Sequence, residues 1–365
     1  TENPNIKVYF ITDEINNFYG SYTSKEIEEL RKNGIEVIVT DLTKLRDSNH
    51  YYSSFWRIFL QPFGTSGKGW LTHPLGNEEY KVTLRSYLKL LNTKANHRKI
   101  IIADSGNEIH SIVTSGNPHE ASSLHSNTAF LIKEDVWQDV LKGEMAVASF
   151  SNYRLSSLDL SFVSPSEEGN IKVQYLTEGK IKSDLIKDID STEEGESIDM
   201  PMFYLSDRDI ISSLLKASER GVEIRLILDP NKDAFAREKN GIPNRQVAKE
   251  LVKKSGNKIQ IRWYDTYGEQ FHTKMIIIKK KDKTIIYAGS ANLTRRNIDD
   301  LNLEADVKVI APVDSQLSSE VLEYFSNLWT NKGGNFTADF SKYDDNSKAK
   351  YLLYRFQEFS GFSSF

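Results

Sequence analysis

The strongest constraint on the fold of this 365-residue chain is a four-residue pattern that occurs twice with the same spacing. The first set is His97, Lys99, Ser115 and Asn117, and the second set is His272, Lys274, Ser290 and Asn292. In both sets the His precedes the Asn by 20 residues, and the Lys precedes the Ser by 16. Such self-similarity indicates that one folding unit is present in two copies.

The second half of the chain alternates between strand patterns and helix patterns. Strand patterns cover residues 200–205, 222–229, 259–263 and 272–278, and helix patterns cover residues 244–254 and a segment that ends at Gly221. This alternation is typical of an α/β sandwich, and it predicts a largely parallel central sheet.

Part of the same order recurs in the first half. Residues 6–16, 23–34 and 35–39 match the second-half segments 222–229, 244–254 and 259–263. Asp13 then stands in the place of Asp229, and a capping box from Thr23 to Glu26 predicts the start of the helix. The predicted fold class is α/β, with two similar α/β/α sandwich domains related by pseudo-twofold symmetry and an active site at their interface.

The repeat also predicts domain boundaries. The first domain spans residues 1–165 and has an insertion at about 42–94, a linker covers 164–170, the second domain spans 171–345, and 346–365 form a C-terminal tail. The chain begins with Thr, and its first copy has no counterpart of residues 200–221. Two explanations stay open: native sequence precedes Thr1, or the first domain evolved without this unit.

The residue types of the two sets suit chemistry on a phosphodiester. Residues i and i+2 of a strand point to the same face, so each His projects beside its Lys. Two lysines and two asparagine amides can bind the non-bridging oxygens and the charge that develops on them. One imidazole can attack phosphorus while the other, protonated, donates to the leaving oxygen. Because the lysines supply positive charge, this chemistry needs no metal and no cofactor.

The pattern resembles the phospholipase D superfamily. The signature of that superfamily is His-x-Lys, then Asp seven residues after the His, then Gly-Ser-x-x-Asn or a near variant. The first copy has His97, Lys99 and Asp104 in this register, whereas Lys279 stands at the Asp position of the second copy. The resemblance covers nearly the whole chain, and the branch most similar to it is the bacterial one with cardiolipin synthases and phosphatidyltransferases.

The two copies differ in how fully they match that signature. The second copy has Gly289 and, downstream, Glu304 at a position where the family commonly has a Glu that orients a His. In the first copy Asn127 or Ala129 falls near this Glu position. The resemblance therefore implies that the two histidines are supported asymmetrically.

The resemblance also implies a mechanism and a set of residues. It implies a covalent phosphohistidine intermediate in which, by the family's usual pattern, His97 attacks and His272 is the acid; the sequence alone leaves that order open. The implied catalytic set is His97, His272, Lys99, Lys274, Asn117, Asn292, Ser115, Ser290, Asp104 and Glu304. Substrate binding is expected from Lys99, Lys274, Asn117, Asn292, His119 and His125.

The remaining histidines carry less information. His119 and His125 follow Asn117 in a loop, where they either line the mouth of a pocket or make ordinary loop hydrogen bonds. A metal site drawn from His119, Glu120 and His125 is not expected. His272 is the only histidine in the second half, so its place in the motif does not follow from abundance.

The insertion contains an unusually aromatic stretch at residues 51–64. Helical spacing places Tyr52, Phe55, Trp56 and Phe59 on one face. Such a helix either packs against its own domain or forms a lip that admits acyl chains.

Composition helps to choose between rival functions. The net charge is −4 and cysteine is absent, and the isoelectric point is about 6.0. The chain therefore lacks the basic footprint of most nucleic-acid-binding proteins. We expect a phospholipid substrate at a membrane surface, no nucleic acid and no obligate protein partner. The alternatives are a metal-independent nuclease of the same superfamily and a catalytically dead lipid-binding relative. We expect membrane association outside the cytoplasm, either peripheral or through a missing N-terminal anchor.

Overall fold

The structure is a computed structural model that describes residues 6–74, 79–105, 108–133, 135–155, 169–234 and 237–363. Two compact units divide these residues. The first lies within 1–97, 141–162 and 360–364, and the second lies mainly within 98–140 and 163–359. The predicted boundaries of the two repeats at 165 and 345 stay predictions, and most of the predicted linker at 164–170 lies outside the described residues.

The first unit contains short strands and three complete helices among its described residues. These are β1 (Tyr9–Thr12), α1 (Lys25–Lys32), β2 (Glu36–Val39), α2 (His50–Phe59), β3 (Leu71–Thr72), β4 (Lys81–Val82) and α3 (Leu84–Leu90). Strand β1 pairs with β2 in parallel, as the match to the second half predicts. Helix α1 is capped by Ser24, whose hydroxyl accepts from the N–H of Ile27 at 3.3 Å. The predicted cap at Thr23 is wrong by one residue.

The second unit contains the larger part of the ordered chain. Its elements are β5 (Ile100–Ser105), β6 (Glu108–Thr114), α4 (Glu120–Ser123), β7 (Ala129–Ile132), β8 (Lys172–Thr177), α6 (Gly179–Asp190), β9 (Ser197–Met202), α7 (Arg208–Glu219), β10 (Glu223–Leu228), β11 (Asp233–Ala234), β12 (Arg237–Glu238), α8 (Asn244–Lys254), β13 (Ile259–Tyr264), β14 (Met275–Lys279), β15 (Lys283–Gly289), α9 (Arg295–Ile298), β16 (Ala305–Pro312), α10 (Gln316–Thr330), β17 (Thr337–Asp339) and α11 (Lys348–Ser360). The residues of α5 (Trp137–Phe150) are divided between the two units.

An eight-stranded sheet forms the centre of the second unit, in the order β17-β13-β10-β9-β14-β15-β16-β8. Only β9, β10 and β13 pair in parallel, and the other pairs in this sheet are antiparallel. The predicted largely parallel sheet is therefore wrong. Residues 280–282 join β14 to β15 as a hairpin, and hairpins impose antiparallel pairing.

Helices cover one face of this sheet, and a second layer covers the other. Helices α6, α7 and α8 bury their apolar faces against β9, β10 and β13. On the opposite face, α10 packs beside the three-stranded sheet β5-β6-β7, which places Val113 and Ile132 in one core with Ile277 and Ile286. Within this unit the alternation of β14 separates the layers, because Ile276 faces the helices and Ile277 faces the smaller sheet.

The end of the chain is part of the fold. Strand β17 extends the large sheet beyond β13, and α11 buries Tyr354 in the main core. Sequence analysis predicted residues 346–365 to be a tail outside both repeats. The α/β fold class itself is confirmed by the large sheet and the helices that cover it.

Candidate active site

The second motif lies where β14 begins. His272 is 5% exposed and Lys274 is 1% exposed, although both are polar. The Nζ of Lys274 donates to the backbone oxygen of His272 at 3.0 Å and lies 4.9 Å from the ring centre of Phe203. The Phe203 ring also lies 4.9 Å from the imidazole of His272. Phe203 therefore packs against both motif side chains, a role that no sequence pattern identified.

The ammonium group of Lys274 is in an environment that disfavours its charge. Burial lowers the pKa of Lys274 well below its usual value, and the positive charge of Lys99 lowers it further. The carboxyl groups of Glu304, Asp306 and Asp229 act in the opposite direction without cancelling the effect. Lys99 is itself only 7% exposed. Two buried lysines that repel each other form a site in which an anion is favourable.

A side chain from the first half of the chain supports His272. The Nδ1 of His272 lies 3.0 Å from the Oδ1 of Asn127. The amide orientation is fixed because Nδ2 of Asn127 donates to the backbone oxygens of Ser122 and His125. Oδ1 is therefore the acceptor, and Nδ1 of His272 carries the proton. This tautomer puts the lone pair of the ring on Nε2.

The hydroxyl of Ser115 completes the support. It donates to Oδ1 of Asn127 at 3.2 Å and accepts from the N–H of Thr128 at 3.0 Å. In the second copy, the hydroxyl of Ser290 donates to Glu304 and accepts from the N–H of Ala305 at 2.9 Å. The two serines, both fully buried, thus have the same role. The pairing identifies Asn127, rather than Ala129, as the counterpart of Glu304.

A second pair of equivalent contacts lies just before each His. The carboxylate of Asp229 accepts from the N–H of Asn231 at 2.6 Å and from the N–H of Phe271 at 2.8 Å. In the first unit, the corresponding donors to Asp13 are Ile15 at 2.6 Å and Asn96 at 2.5 Å. In each copy the second donor immediately precedes the motif His. The sequence aligned these two aspartates but did not show what they bind.

A third buried carboxyl group lies beneath the loop of Ser290. Oδ1 of Asp306 accepts from the N–H of Ala291 at 3.0 Å. Burial raises the pKa of Asp306 to about 7, partly offset by that N–H, and the Glu304 charge adds to the increase. A side chain on Gly289 would meet the backbone oxygen of Ala305 at 2.3 Å, so only glycine fits here. The glycine of the motif therefore permits the close approach of β15 and β16.

The first motif is anchored by an ion pair that the sequence did not predict. The guanidinium of Arg98 donates to Oε1 of Glu178 at 2.6 Å, and the Arg98 side chain is only 6% exposed. The same Oε1 accepts from the N–H of Glu304 at 3.1 Å. Arg98 stands between His97 and Lys99 in the chain. The carboxylate of Glu178 therefore joins Arg98 to the backbone of Glu304 within the second unit.

The other predicted site residues differ in burial and in their contacts. Asn292 is buried, and its Oδ1 finds no partner among the described residues, so this amide has unused hydrogen-bonding capacity. Asn117 is half-buried, and its N–H donates to Ser122 Oγ at 3.0 Å. Asp104 is exposed on β5, and no described contact joins it to the cluster.

The loop histidines differ from each other. The ring of His125 lies 6.0 Å from that of His272, and its Nδ1 accepts from the N–H of Gln270 at 3.1 Å. Burial and the nearby His119 charge lower the pKa of His125. His119 is exposed. Among the described ring contacts, the imidazole of His125 lies near that of His272, whereas none joins His119 to His272.

Two wider features bear on function. Within the described ranges, no group of three or more His, Asp or Glu residues is arranged to hold a metal ion. No helix in that part of the chain is both long and apolar enough to cross a membrane.

Comparison with known proteins adds a family and a fold. Residues 185–329 match a family model described as cardiolipin synthase, PLD-like domain. A phospholipase D from Rickettsia prowazekii (strain Madrid E) is 27% identical over 171 residues, which are 45% of this chain and 74% of that protein.

Two solved structures illustrate the structural likeness. Phosphatidylserine synthase from Haemophilus influenzae Rd KW20 is 12% identical, with a TM-score of 0.53, over 98% of this chain and 89% of that chain. Nuc, a phospholipase D family member from Salmonella typhimurium, is 24% identical, with a TM-score of 0.36, over 46% of this chain and 97% of that chain. The synthase shares the fold along nearly the whole length.

Proposed function

We propose, from the match of residues 185–329 to a PLD-like domain model and the likeness to a phospholipase D, that this chain is a phosphodiesterase or phosphatidyltransferase of the phospholipase D superfamily that acts on phospholipids through a phosphohistidine. The observation that carries the proposal is the pair of buried lysines, Lys99 and Lys274. Burial and mutual repulsion disfavour the Lys274 charge in the absence of a ligand. A phosphodiester anion relieves that repulsion, so the site favours this kind of ligand.

The proposed reaction divides its roles between the two copies. The lone pair of His97 attacks phosphorus, and the bond from phosphorus to the leaving oxygen breaks as imidazolium His272 donates its Nε2 proton to that oxygen. Water or an alcohol then attacks the phosphohistidine and gives its proton to His272, which restores both histidines. Lys99, Lys274, Asn117 and Asn292 bind the non-bridging oxygens throughout.

The assignment of the acid rests on Asn127. Its amide oxygen accepts from Nδ1 of His272, so the Nε2 atom is the one that exchanges protons with the substrate. We therefore assign Nε2 of His272 as the atom that donates a proton to the leaving oxygen. Ser115 and Ser290 orient their acceptors and do not react. Because Asp104 is exposed, we assign it no direct contact with the phosphate.

The test is product analysis. The protein is incubated with mixed phospholipid vesicles, excess EDTA and a small amount of glycerol, and the lipids are identified by mass spectrometry. Phosphatidic acid indicates hydrolysis, and phosphatidylglycerol indicates transfer. His97→Asn and His272→Asn must each abolish the product, and Asp104→Asn serves as an exposed control. The proposal fails if all lipids stay unchanged.

The same samples separate the rivals. If lipids are unchanged, cleavage of single-stranded or duplex DNA by the wild type would identify a nuclease. If neither substrate changes, vesicle binding without turnover would identify a lipid-binding relative that has lost catalysis.

A further inference from the structure

Helix α2 presents large apolar side chains to solvent. Tyr51 is 93% exposed, Ile58 66% and Phe59 59%, and Phe55 is also exposed. Their spacing of i, i+4, i+7 and i+8 places them on one side of the helix. Phe63, in the 3-10 helix that follows, is exposed as well. We call these five residues the α2 face.

The α2 face is exposed on a helix that is firmly held. On the opposite side Trp56 is buried, and the hydroxyl of Ser53 donates to Oδ1 of Asn92 at 2.9 Å. The hydroxyl of Tyr52 donates to the backbone oxygen of Leu88 at 2.6 Å. Asn49 caps the first turn by accepting from the N–H of Tyr52. The predicted apolar face is divided in the structure, because Tyr52 and Trp56 pack in the unit whereas Phe55 and Phe59 are exposed. The lip for acyl chains stays a prediction.

The loop that follows presents one more aromatic side chain. Arg85 binds this loop through the backbone oxygens of Gly64, at 2.6 Å, and Ser66, at 3.0 Å. Trp70, at its end, is 69% exposed, whereas the other tryptophans are buried or half-buried. An exposed tryptophan that follows exposed phenylalanines in the same segment of the chain is typical of a protein that meets the interface of a bilayer.

The charge of this segment differs from that of the whole chain. The net charge of the chain is −4, yet residues 48–77 contain no Asp or Glu. The same segment contains Arg57 and Lys68. Arg57 pairs with Asp47, and Lys68 is exposed. An apolar face in a segment that has basic residues and no acids of its own is complementary to anionic headgroups.

We propose that the α2 face docks on the surface of a bilayer that contains anionic lipids. This inference extends the proposed function, because it identifies the surface through which the protein reaches its lipid substrate. Docking itself does not require catalytic turnover. A second copy of this chain fits less well, since an apolar self-contact draws no benefit from the absence of acids. The aromatic side chains enter the headgroup region while the cations stay among the phosphates.

The test is flotation with extruded vesicles of neutral phosphatidylcholine, with and without one-third phosphatidylglycerol. Every protein carries His272→Asn, so that docking is measured without catalysis. The test variant adds Tyr51→Ser and Phe59→Ser. The matched control adds Tyr267→Ser and Leu131→Ser, because Tyr267 (76%) and Leu131 (57%) are similarly exposed in the second unit. Far-UV circular dichroism and thermal melting confirm that each variant folds.

We expect the test variant to lose on the order of tenfold or more of its vesicle partition, and the control to lose little. The emission of Trp70 should shift to shorter wavelength with anionic vesicles, and Trp70→Phe should remove that shift. Equal loss in the control, equal binding to neutral vesicles, or no binding would overturn the proposal. Concentration-dependent dimers that the test variant abolishes, without vesicle binding, would overturn it in favour of a second copy. Docking without lipid turnover would leave this inference intact and reject only the proposed reaction.

Discussion

In both copies of the motif a buried serine accepts from a backbone N–H and donates to a side-chain oxygen, but that oxygen belongs to an amide in one copy and to a carboxylate in the other. Ser115 donates to Asn127, and Ser290 donates to Glu304. The backbone geometry is the same, so the difference is chemical. The same hydrogen-bond pattern can thus hold an amide in one copy and a carboxylate in the other without any change in fold.

The two copies also differ at the position two residues after Asn127 and Glu304. Asp306, two residues after Glu304, is a buried acid. The equivalent residue, two positions after Asn127, is Ala129. The second copy therefore carries both the carboxylate beneath its serine and an additional acid. The first copy has a neutral side chain at each place. The two copies share the serine hydrogen bonds to the backbone and differ in the number of buried carboxyl groups.

The largest expected effect comes from the histidines that the copies share. His97→Asn or His272→Asn should each reduce turnover by about a thousandfold or more, because each removes one of two groups that act in the same step. The double variant should be no slower than either single variant. Initial rates of lipid product formation measure this. A single variant that keeps a tenth of the activity would show that the two copies are not joint partners.

The next effect concerns stability and belongs to the second copy alone. Burial raises the pKa of Asp306 from 3.8 to about 7. Its contribution to stability is therefore fully present below about pH 4 and is lost as the pH rises through 7. The loss between pH 4 and 8 is on the order of 3 kcal/mol from this group. Urea unfolding across that range should show the fall, and Asp306→Asn should flatten it.

A control keeps that result specific. Asp104→Asn, which removes an exposed aspartate from β5, is the control for the loss of a carboxyl group outside the core. Burial also raises the pKa of Asp229, to about 6, so part of the wild-type slope will persist in Asp306→Asn. An unchanged slope in Asp306→Asn would show that folding does not raise the pKa of Asp306.

A smaller effect tests the equivalence of Asp13 and Asp229. Each carboxylate accepts the N–H immediately before a motif His, so Asp→Asn replaces an acceptor oxygen by a donor at one of two bonds. We expect each variant to lose about tenfold in kcat with a preserved fold, because the imidazole is displaced by a fraction of an ångström. Steady-state kinetics and melting temperatures provide the measurement. If Asp13→Asn keeps the wild-type kcat while Asp229→Asn is slow, the two aspartates do not have equivalent roles.

The smallest effect concerns the asymmetry itself. Asn127→Asp places a carboxylate 3.0 Å from Nδ1 of His272 and favours the imidazolium. The pH–rate profile should move upwards by about one unit with a modest change in maximal rate. Asn127→Ala is the control, since it removes the support and should lower the rate without an upward shift. If the pH–rate profile of Asn127→Asp does not shift, protonation of His272 does not control the rate.

Sequence reasoning succeeded where the information is local. The helix at 244–254 and the strand at 259–263 are α8 and most of β13, because apolar spacing and length decide such elements. The likeness to the phospholipase D superfamily could be predicted for the same reason, since its motif consists of short local spacings, and residues 185–329 match a PLD-like domain model. The roles of the individual site residues stay predictions that the contacts described above make more specific.

Sequence reasoning failed where partners are distant in the chain. The support of His272 by Asn127 joins residues 145 positions apart, and the pair of Arg98 with Glu178 joins residues 80 apart. Neither has a periodic signature. The parallel sheet was predicted from alternation alone, which cannot register a hairpin such as residues 280–282. Tyr354 shows the same limit, because its burial depends on a core that other segments build.

The position of residues 98–140 inside the second unit has a consequence for how this protein is made. The small sheet of that segment shares a core with β14, β15 and β16, which are translated more than 130 residues later. A ribosome therefore releases the early strands well before their partners exist, and the loop that must close is long. A chain cut between the two motif copies should yield two fragments that each expose an unfinished apolar surface. Such fragments would aggregate alone and recover activity only when they are expressed together.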